Sequence, residues 1–378
     1  MNKLASNGPQ EVAFMIPDIS GFTKFLSGTE IRHSKHIIEE LIEVIGRETK
    51  DYFELAEVEG DALFLYQRTD AIDGDTIFKV ARNTFIAFHQ HLLNYENLRI
   101  CTCGACSSAI NLSLKFIMHV GTMELATVQG KQKPYGLDVI KAHRLMKNNV
   151  KGNEYLLISN DYNQRFGTGA IELDLIAGSA TYDEIGEMPY QYGALTHLKN
   201  DLQPDERQMS SPGKSLKTLV SAEAEINAPL NVVYEVLSDF QYRPVWNSEA
   251  KIVDHNEDDI YQVGTEHYCI INNKKHQIRT VGNPDSKLEF GEQALNTGPF
   301  RELNLYFVFN KSDEASEHTR LTIEIRANVI TLLRPFVNLF VKPKLRKKIP
   351  EVLESIKKLS ERLAVERKEE INTPVVLD

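Results

Sequence analysis

FMIPDISGFTKFL, residues 14–26, decides how the first half of this chain is read. It opens inside an apolar run, EVAFMIP at 11–17, that reads as a buried strand stopping at Pro17, because proline has no amide hydrogen to give a sheet. Asp18 then stands at the end of that strand, and Gly21 permits a tight turn into the next helix. A second stretch, EVEGDALFLY at 57–66, places Asp61 in a Gly-Asp corner between two strand-like segments, 52–58 and 61–67. If those strands are neighbours of the first, both carboxylates converge at the same sheet end. Two carboxylates, a backbone carbonyl and phosphate oxygens are what Mg2+ accepts, because it prefers hard oxygens and keeps few protein ligands. The plainer reading, which spacing alone favours, makes Asp18 a helix cap and Asp61 a turn residue.

Working outward, Ile37, Ile38, Leu41, Ile42 and Ile45 give 31–49 one apolar helical face. Ile77, Val80, Phe85, Phe88 and Leu92 do the same for 75–93. A cysteine-rich loop, a strand at 111–119, a short one near 123–128, a helix at 138–148 and a strand at 154–158 follow. That order predicts an α+β sandwich with helices covering one face of a sheet.

The segment LKNDLQPDERQMSSPGKS at 198–215 is polar, has two prolines and shows no apolar period, so the domain boundary is placed there. The expected organisation is a first domain over 1–197, a linker over 198–215, a second domain over 216–366 and a flexible tail over 367–378. In the second domain, KTLVSAEAEI at 217–226 alternates like a strand and a short helix begins near Pro229. About six strand-like segments lie between 251 and 327, and a helical run extends from 331 to 366. A curved antiparallel sheet closed by a long C-terminal helix is the simplest construction.

The chain has 378 residues, 42% apolar and 25% charged, with a formal net charge of −10. The acidic balance argues against generic attraction to nucleic acid. The N-terminal MNKLASNGPQ lacks a signal-peptide layout, and no apolar run reaches a membrane-spanning length. A cytoplasmic protein without a transmembrane segment is expected. Cys101, Cys103 and Cys106 form a C-x-C-x-x-C cluster, a candidate Zn2+ site if His89, His91 or Cys269 supplies a fourth ligand. Three reduced structural cysteines, or a redox-active thiol pair, are the alternatives.

Asp-Ile-Ser-Gly-Phe-Thr at 18–23, followed downstream by Glu-Gly-Asp-Ala at 59–62, resembles the class III nucleotidyl cyclase homology domain, over most of 11–197. The resemblance implies a ferredoxin-like core in which Asp18, Asp61 and the Ile19 carbonyl hold Mg2+ or Mn2+ over a purine nucleoside triphosphate. It also implies that Glu57 selects the purine, leaning towards GTP, and that Arg144 steadies the transition-state phosphate. Sites shared across a homodimer are implied as well. Two positions depart from the family pattern: Ile140 stands where the family has an asparagine, and Lys133 stands near its second purine-selecting position. Loss of one transition-state donor typically costs about 10²–10³ in rate. Lys141 or Asn148 could replace missing contacts.

SAEAEINAPLNVVYEVLSDFQYRPVW at 221–246 resembles the opening of the START-like superfamily of polyketide cyclase-type and lipid-transfer proteins. The resemblance implies a helix-grip fold around a cavity for an apolar small molecule or lipid, with Trp246, Phe300, Phe307, Phe309, Phe336 and Phe340 as candidate lining. For any one of these residues, plain core is the simpler role. LLRPFVNLFVKPKLRKK at 332–348 reads as the gripping helix with a solvated basic end, ahead of a membrane-surface role. The expected whole is a degenerate cyclase-like domain joined to a START-like domain. The rivals are a working homodimeric cyclase and a non-catalytic lipid carrier or interaction protein.

Overall fold

The structure, a computed structural model, describes residues 8–27, 31–98, 104–169, 171–203, 216–254, 263–264, 266–271, 274–283, 286–295, 298–310 and 317–372. The chain divides into two compact units, Met1–Glu96 with Ser108–Pro204 and Asn97–Ser107 with Asp205–Asp378. Residues 204–215 of the expected linker, and 373–378 of the expected tail, lie outside the described residues.

From Gln10 to Ala194 the elements are β1 (Gln10–Ser20), α1 (Phe22–Ser27), α2 (Ile31–Thr49), β2 (Glu54–Glu59), β3 (Ala62–Arg68), α3 (Gly74–Leu98) and α4 (Gly104–Ser108). Then come β4 (Ser113–Val128), β5 (Lys131–Tyr135), α5 (Leu137–Leu145), β6 (Tyr155–Ser159), α6 (Asn160–Phe166), β7 (Ile176–Tyr182) and β8 (Gly186–Ala194). The sheet runs β2-β3-β1-β4-β6-β8-β7, with β5 paired on β4. β1 is central and antiparallel to both neighbours, while β4 and β6 are parallel.

β1 does not stop at Pro17. The Ile19 amide donates to the Asp61 carbonyl at 3.1 Å, on the β3 side, and Pro17, two residues earlier, turns its nitrogen the same way. Pairing with β3 lapses between Met15–Leu65 and Asp18–Ala62, whereas the ladder to β4 is unbroken from Gln10 to Ser20. The missing donor therefore costs contact on one side only. Helices were expected on one sheet face, but both are covered. Val12, Phe14 and Ile16 join Val139, Ala142 and Leu145 of α5 in one core, and Ala13, Met15, Leu63, Leu65 and Phe116, of opposite parity, are equally buried. The two strands expected at 111–119 and 123–128 are one strand, β4, and the β7–β8 hairpin was not foreseen at all.

The second unit contains β9 (Lys217–Ile226), α7 (Leu230–Ser238), α8 (Arg243–Trp246), β10 (Ala250–Asp254), β11 (Glu266–Ile271), β12 (Lys274–Asn283) and β13 (Ser286–Ala294). It ends with β14 (Phe300–Asn310), β15 (Thr319–Val329), α9 (Arg334–Phe336) and α10 (Lys342–Asn372). Its antiparallel sheet runs β10-β11-β12-β13-β14-β15-β9, so the first strand lies beside the last. Ile349, Leu353, Ile356 and Leu359 of α10 share a core with Val233 and Val236 of α7 and with Phe290, Phe307 and Leu321 of the sheet. The helical run expected over 331–366 forms: single turns of 3-10, α and π helix follow one another from Thr331 to Val341, and α10 carries the run on to Asn372.

Candidate functional site

β1 carries Asp18 to the end of the central strand, where it is 7% exposed. Its direct partner across the β1–β4 ladder is Lys115, whose Nζ lies 3.1 Å from Asp18 Oδ2. Its partner on β3 is Ala62, and Asp61 immediately precedes it, in a corner where Gly60 takes a φ of 65°. The amide bond from Ile19 to Asp61 ties that corner to β1. Topology thus brings together two carboxylates that lie far apart in sequence.

The two carboxylates strain against their surroundings. Burial pushes the Asp18 carboxyl above the ordinary range, against the pull of the Lys115 ammonium. Asp61 is pushed up by burial and then by the charge of Asp18. They open onto a cleft of about 680 Å³ whose wall also includes Lys24, Glu59, Lys115, His143, Lys147 and Asn153. His143 Nδ1 lies 3.2 Å from Glu59 Oε2, and its ring stacks on Phe64 at 4.4 Å. A carboxylate pair, Asp18 buried and Asp61 half-buried, answered by one ammonium is a donor set suited to a hard divalent cation. Among the described residues no three His, Cys, Asp or Glu side chains cluster to hold a metal alone, so such an ion would need further oxygens from backbone or ligand.

The other expected residues fall elsewhere. Glu57 is gripped by Lys133, whose Nζ lies 3.0 and 3.1 Å from its two oxygens, so the two expected purine-selecting positions are each other's partners. Arg144 is exposed on α5, and its side chain has no partner among the described residues. Ile140, one helical turn earlier, is 50% exposed. Neither lines the cleft. Lys141 bonds Asp138 at 2.8 Å and Asn148 bonds the Tyr155 hydroxyl at 2.8 Å, so both are engaged. Asp138 also accepts the Thr122 amide at 2.8 Å, and Gly121 makes room for it, since a Cβ there would lie 2.3 Å from the Asp138 Cβ.

Cys101 and Cys103 lie outside the described residues, and Cys106 is buried in α4. His89 Nε2 sits 3.6 Å from Glu154, and His91 Nε2 sits 3.3 Å from Glu40. With both histidines facing carboxylates, the described residues give the zinc reading no support. In the second unit Trp246 and Phe307 are core. The Trp246 indole donates to the Val236 carbonyl at 2.9 Å and meets Phe307 edge-on at 6.3 Å. Phe300 is partly exposed at the start of β14, and Phe336 is 50% exposed beside Phe340. His267 of β11 is buried, its Nε2 3.9 Å from Glu292 Oε1.

Sequence reasoning missed Lys115, Glu59, His143 and Lys147. For Lys115 a signal existed: one lysine inside the mainly apolar run LSLKFIMHV at 112–120. The buried pair of Arg243 with Glu292, joined at 2.8 Å between Arg243 Nη1 and Glu292 Oε2, left no such mark.

A family profile described as a protein of unknown function, DUF2652, matches residues 38–155. An uncharacterized protein of Mycobacterium tuberculosis is 32% identical over 109 residues, 28% of this chain and 50% of that protein, so the chain spans about half the length of this curated relative. Similar solved structures include the guanylyl cyclase Cya2, at 10% identity and TM-score 0.40 over 50% of this chain and 92% of that one. The guanylate cyclase domain of RhGC from Catenaria anguillulae in complex with GTP has 15% identity and TM-score 0.37, over 50% and 98%. The adenylyl cyclase CyaB from P. aeruginosa has 14% identity and TM-score 0.36, over 49% and 94%.

Proposed function

We propose that the first unit is a degenerate class III cyclase-like domain that binds a purine nucleoside triphosphate with Mg2+ or Mn2+ at the Asp18–Asp61 cleft. In the same reading the second unit is a START-like compartment for an apolar small molecule or lipid. The observation that carries the first part is the convergence of a buried and a half-buried carboxylate, mutually repelling, in a cleft that also presents Lys24, Lys115 and Lys147. Asp18, Asp61 and the Ile19 carbonyl would hold the ion, which would neutralise triphosphate charge when bound. Lys115 holds the Asp18 carboxylate in place, and Lys24 and Lys147 offer charge to phosphate oxygens. Glu57 must release Lys133 before it can meet a base, at a cost of about 0–1 kcal/mol for such an exposed pair. Support for the second part is the long α10 packed on an antiparallel sheet. Calorimetric titration with GTP and ATP, with and without Mg2+, tests the nucleotide reading. Metal-dependent binding that Asp18→Ala abolishes is expected, and no binding by the wild-type chain would overturn it.

A second reading, a working homodimeric cyclase making a cyclic purine nucleotide, is favoured by one feature. Arg144 shares an exposed face with Ile140 and Leu137, which suits a second copy completing the cleft. Asp61→Ala and Arg144→Ala would each then lose cyclic product, and mixing the two variants would restore part of it. Absence of product from the wild type with either metal excludes this reading.

A further inference from the structure

Residues 331–340 stand out from the second unit. Nine of these ten residues are exposed, Val337 alone being buried. The exposed ones include large apolar side chains: Leu332 at 87%, Leu339 at 68%, Phe340 at 54% and Phe336 at 50%. Spacings of three and four residues put Leu332, Phe336, Leu339 and Phe340 on one side of the helical segment, and the Phe336 and Phe340 rings lie 5.3 Å apart. Twelve of the other fifteen phenylalanines are buried and none of the remaining three is fully exposed, so a ridge left in water at 336 and 340 stands out.

The charge next to the ridge is also out of keeping with the chain. Residues 332–348 contain Arg334, Lys342, Lys344, Arg346, Lys347 and Lys348 and no Asp or Glu, within a protein of net charge −10. Lys348 pairs with Glu249 at 3.1 Å. The other five have no carboxylate partner among the described residues. Among the described residues no helix is long and apolar enough to cross a membrane. Exposed apolar side chains, flanked by uncompensated cations, are the composition of an element that lies in a membrane interface.

We propose that residues 332–348 dock the protein onto an anionic lipid surface, with Leu332, Phe336, Leu339 and Phe340 entering the acyl boundary and Lys342, Lys344, Arg346 and Lys347 meeting lipid headgroups. The choice of a lipid surface over a second copy follows from the charge, because two copies would set the same cations against each other. The proposal does not depend on any activity of the Asp18–Asp61 cleft.

The test is flotation of the full chain with vesicles of phosphatidylcholine alone and of phosphatidylcholine with a third phosphatidylserine. Binding to the anionic vesicles is expected, weakening with salt. Removing two cations in Lys344→Ala/Lys347→Ala is expected to weaken it about 25-fold, at about five-fold for each basic residue. Phe336→Ser/Phe340→Ser is expected to weaken it about 100-fold with an unchanged far-ultraviolet circular dichroism spectrum, since both rings are already half in water. The lysine variant keeps the test decisive should the phenylalanine variant not fold. Equal binding to both vesicle types, or binding to neither, overturns the proposal. So does a dimer that the phenylalanine substitutions dissolve while vesicles are ignored, which would assign the ridge to a second copy.

Discussion

Asp18 and Asp61 carry charge that the fold itself resists. Both carboxyls are raised, so the folded chain holds their protons more tightly than the unfolded chain does. Their contribution to stability is full below the unfolded carboxylate range and is lost as pH rises through the folded values. Asp61→Asn is therefore expected to raise the Tm of the metal-free protein near neutral pH, by about 2–4 °C for each kcal/mol regained. The gain should vanish in acid and shrink when Mg2+ is added, because only the wild type keeps the carboxylate pair. Thermal melts across pH check it, and an unchanged or lower Tm at pH 7 would refute the strain. Lys115→Met acts in the opposite direction. Left without its partner, buried Asp18 is expected to cost about 3 kcal/mol. His119 has the reverse sign from the aspartates. Burial lowers it from 6.5 to about 4 although Asp161 and Asp138 lie near, and its Nδ1 sits 2.8 Å from Ser159 Oγ. Stability is thus present above pH 6.5 and falls between pH 6.5 and about 4, as the unfolded chain takes up the proton first. His119→Gln is expected to flatten the denaturation midpoint across that window, and an unaltered slope would rule out the assignment.

β4 and α5 meet through one glycine. A Cβ at residue 121 would lie 2.3 Å from the Asp138 Cβ and 2.7 Å from its Oδ2, so Gly121→Ala must displace α5. The expected cost is about 1–3 kcal/mol, read as a lower urea midpoint at unchanged m value. A neutral substitution would mean that α5 shifts without resistance. At this scale the sequence was most legible where period and length agreed. The apolar faces of α2 and α3, the alternation of β9 and the six strands that follow could all be read locally. Legibility failed where neighbours decide. Pro17 breaks a strand only if its amide side is needed, and the ladder to β4 does not need it. The β7–β8 hairpin carries Gly178, Gly186 and Gly193 and few buried apolar side chains, so its alternation is faint. The cleft was half legible. Asp18 and Asp61 could be paired from their motifs, but Lys115 and Lys147 join them only through register and packing, which no local spacing records. The aromatic residues of the second unit left two roles open for a related reason. A phenylalanine in a strand marks burial without saying whether a core or a cavity buries it, and Phe336 turned out to be half in solvent.

Across the whole molecule, each of the two compact units has its own apolar core. Two cores of this kind predict two cooperative steps in denaturant, each a separate loss of packing. Asp61→Asn and Gly121→Ala change residues of the first unit, so each should move one step and leave the other in place. Trp246, the single tryptophan, is buried in the core of the second unit and reports that step alone by fluorescence. Far-ultraviolet circular dichroism reports both. The expected outcome is a biphasic dichroism curve whose one phase coincides with the fluorescence transition, and whose other phase shifts with the first-unit substitutions and with Mg2+ and nucleotide. If the fluorescence transition moves together with every first-unit substitution, the units unfold as one body. A ligand of the cleft would then be linked by mass action to the stability of the second unit, the thermodynamic form that coupling between the two units would have to take.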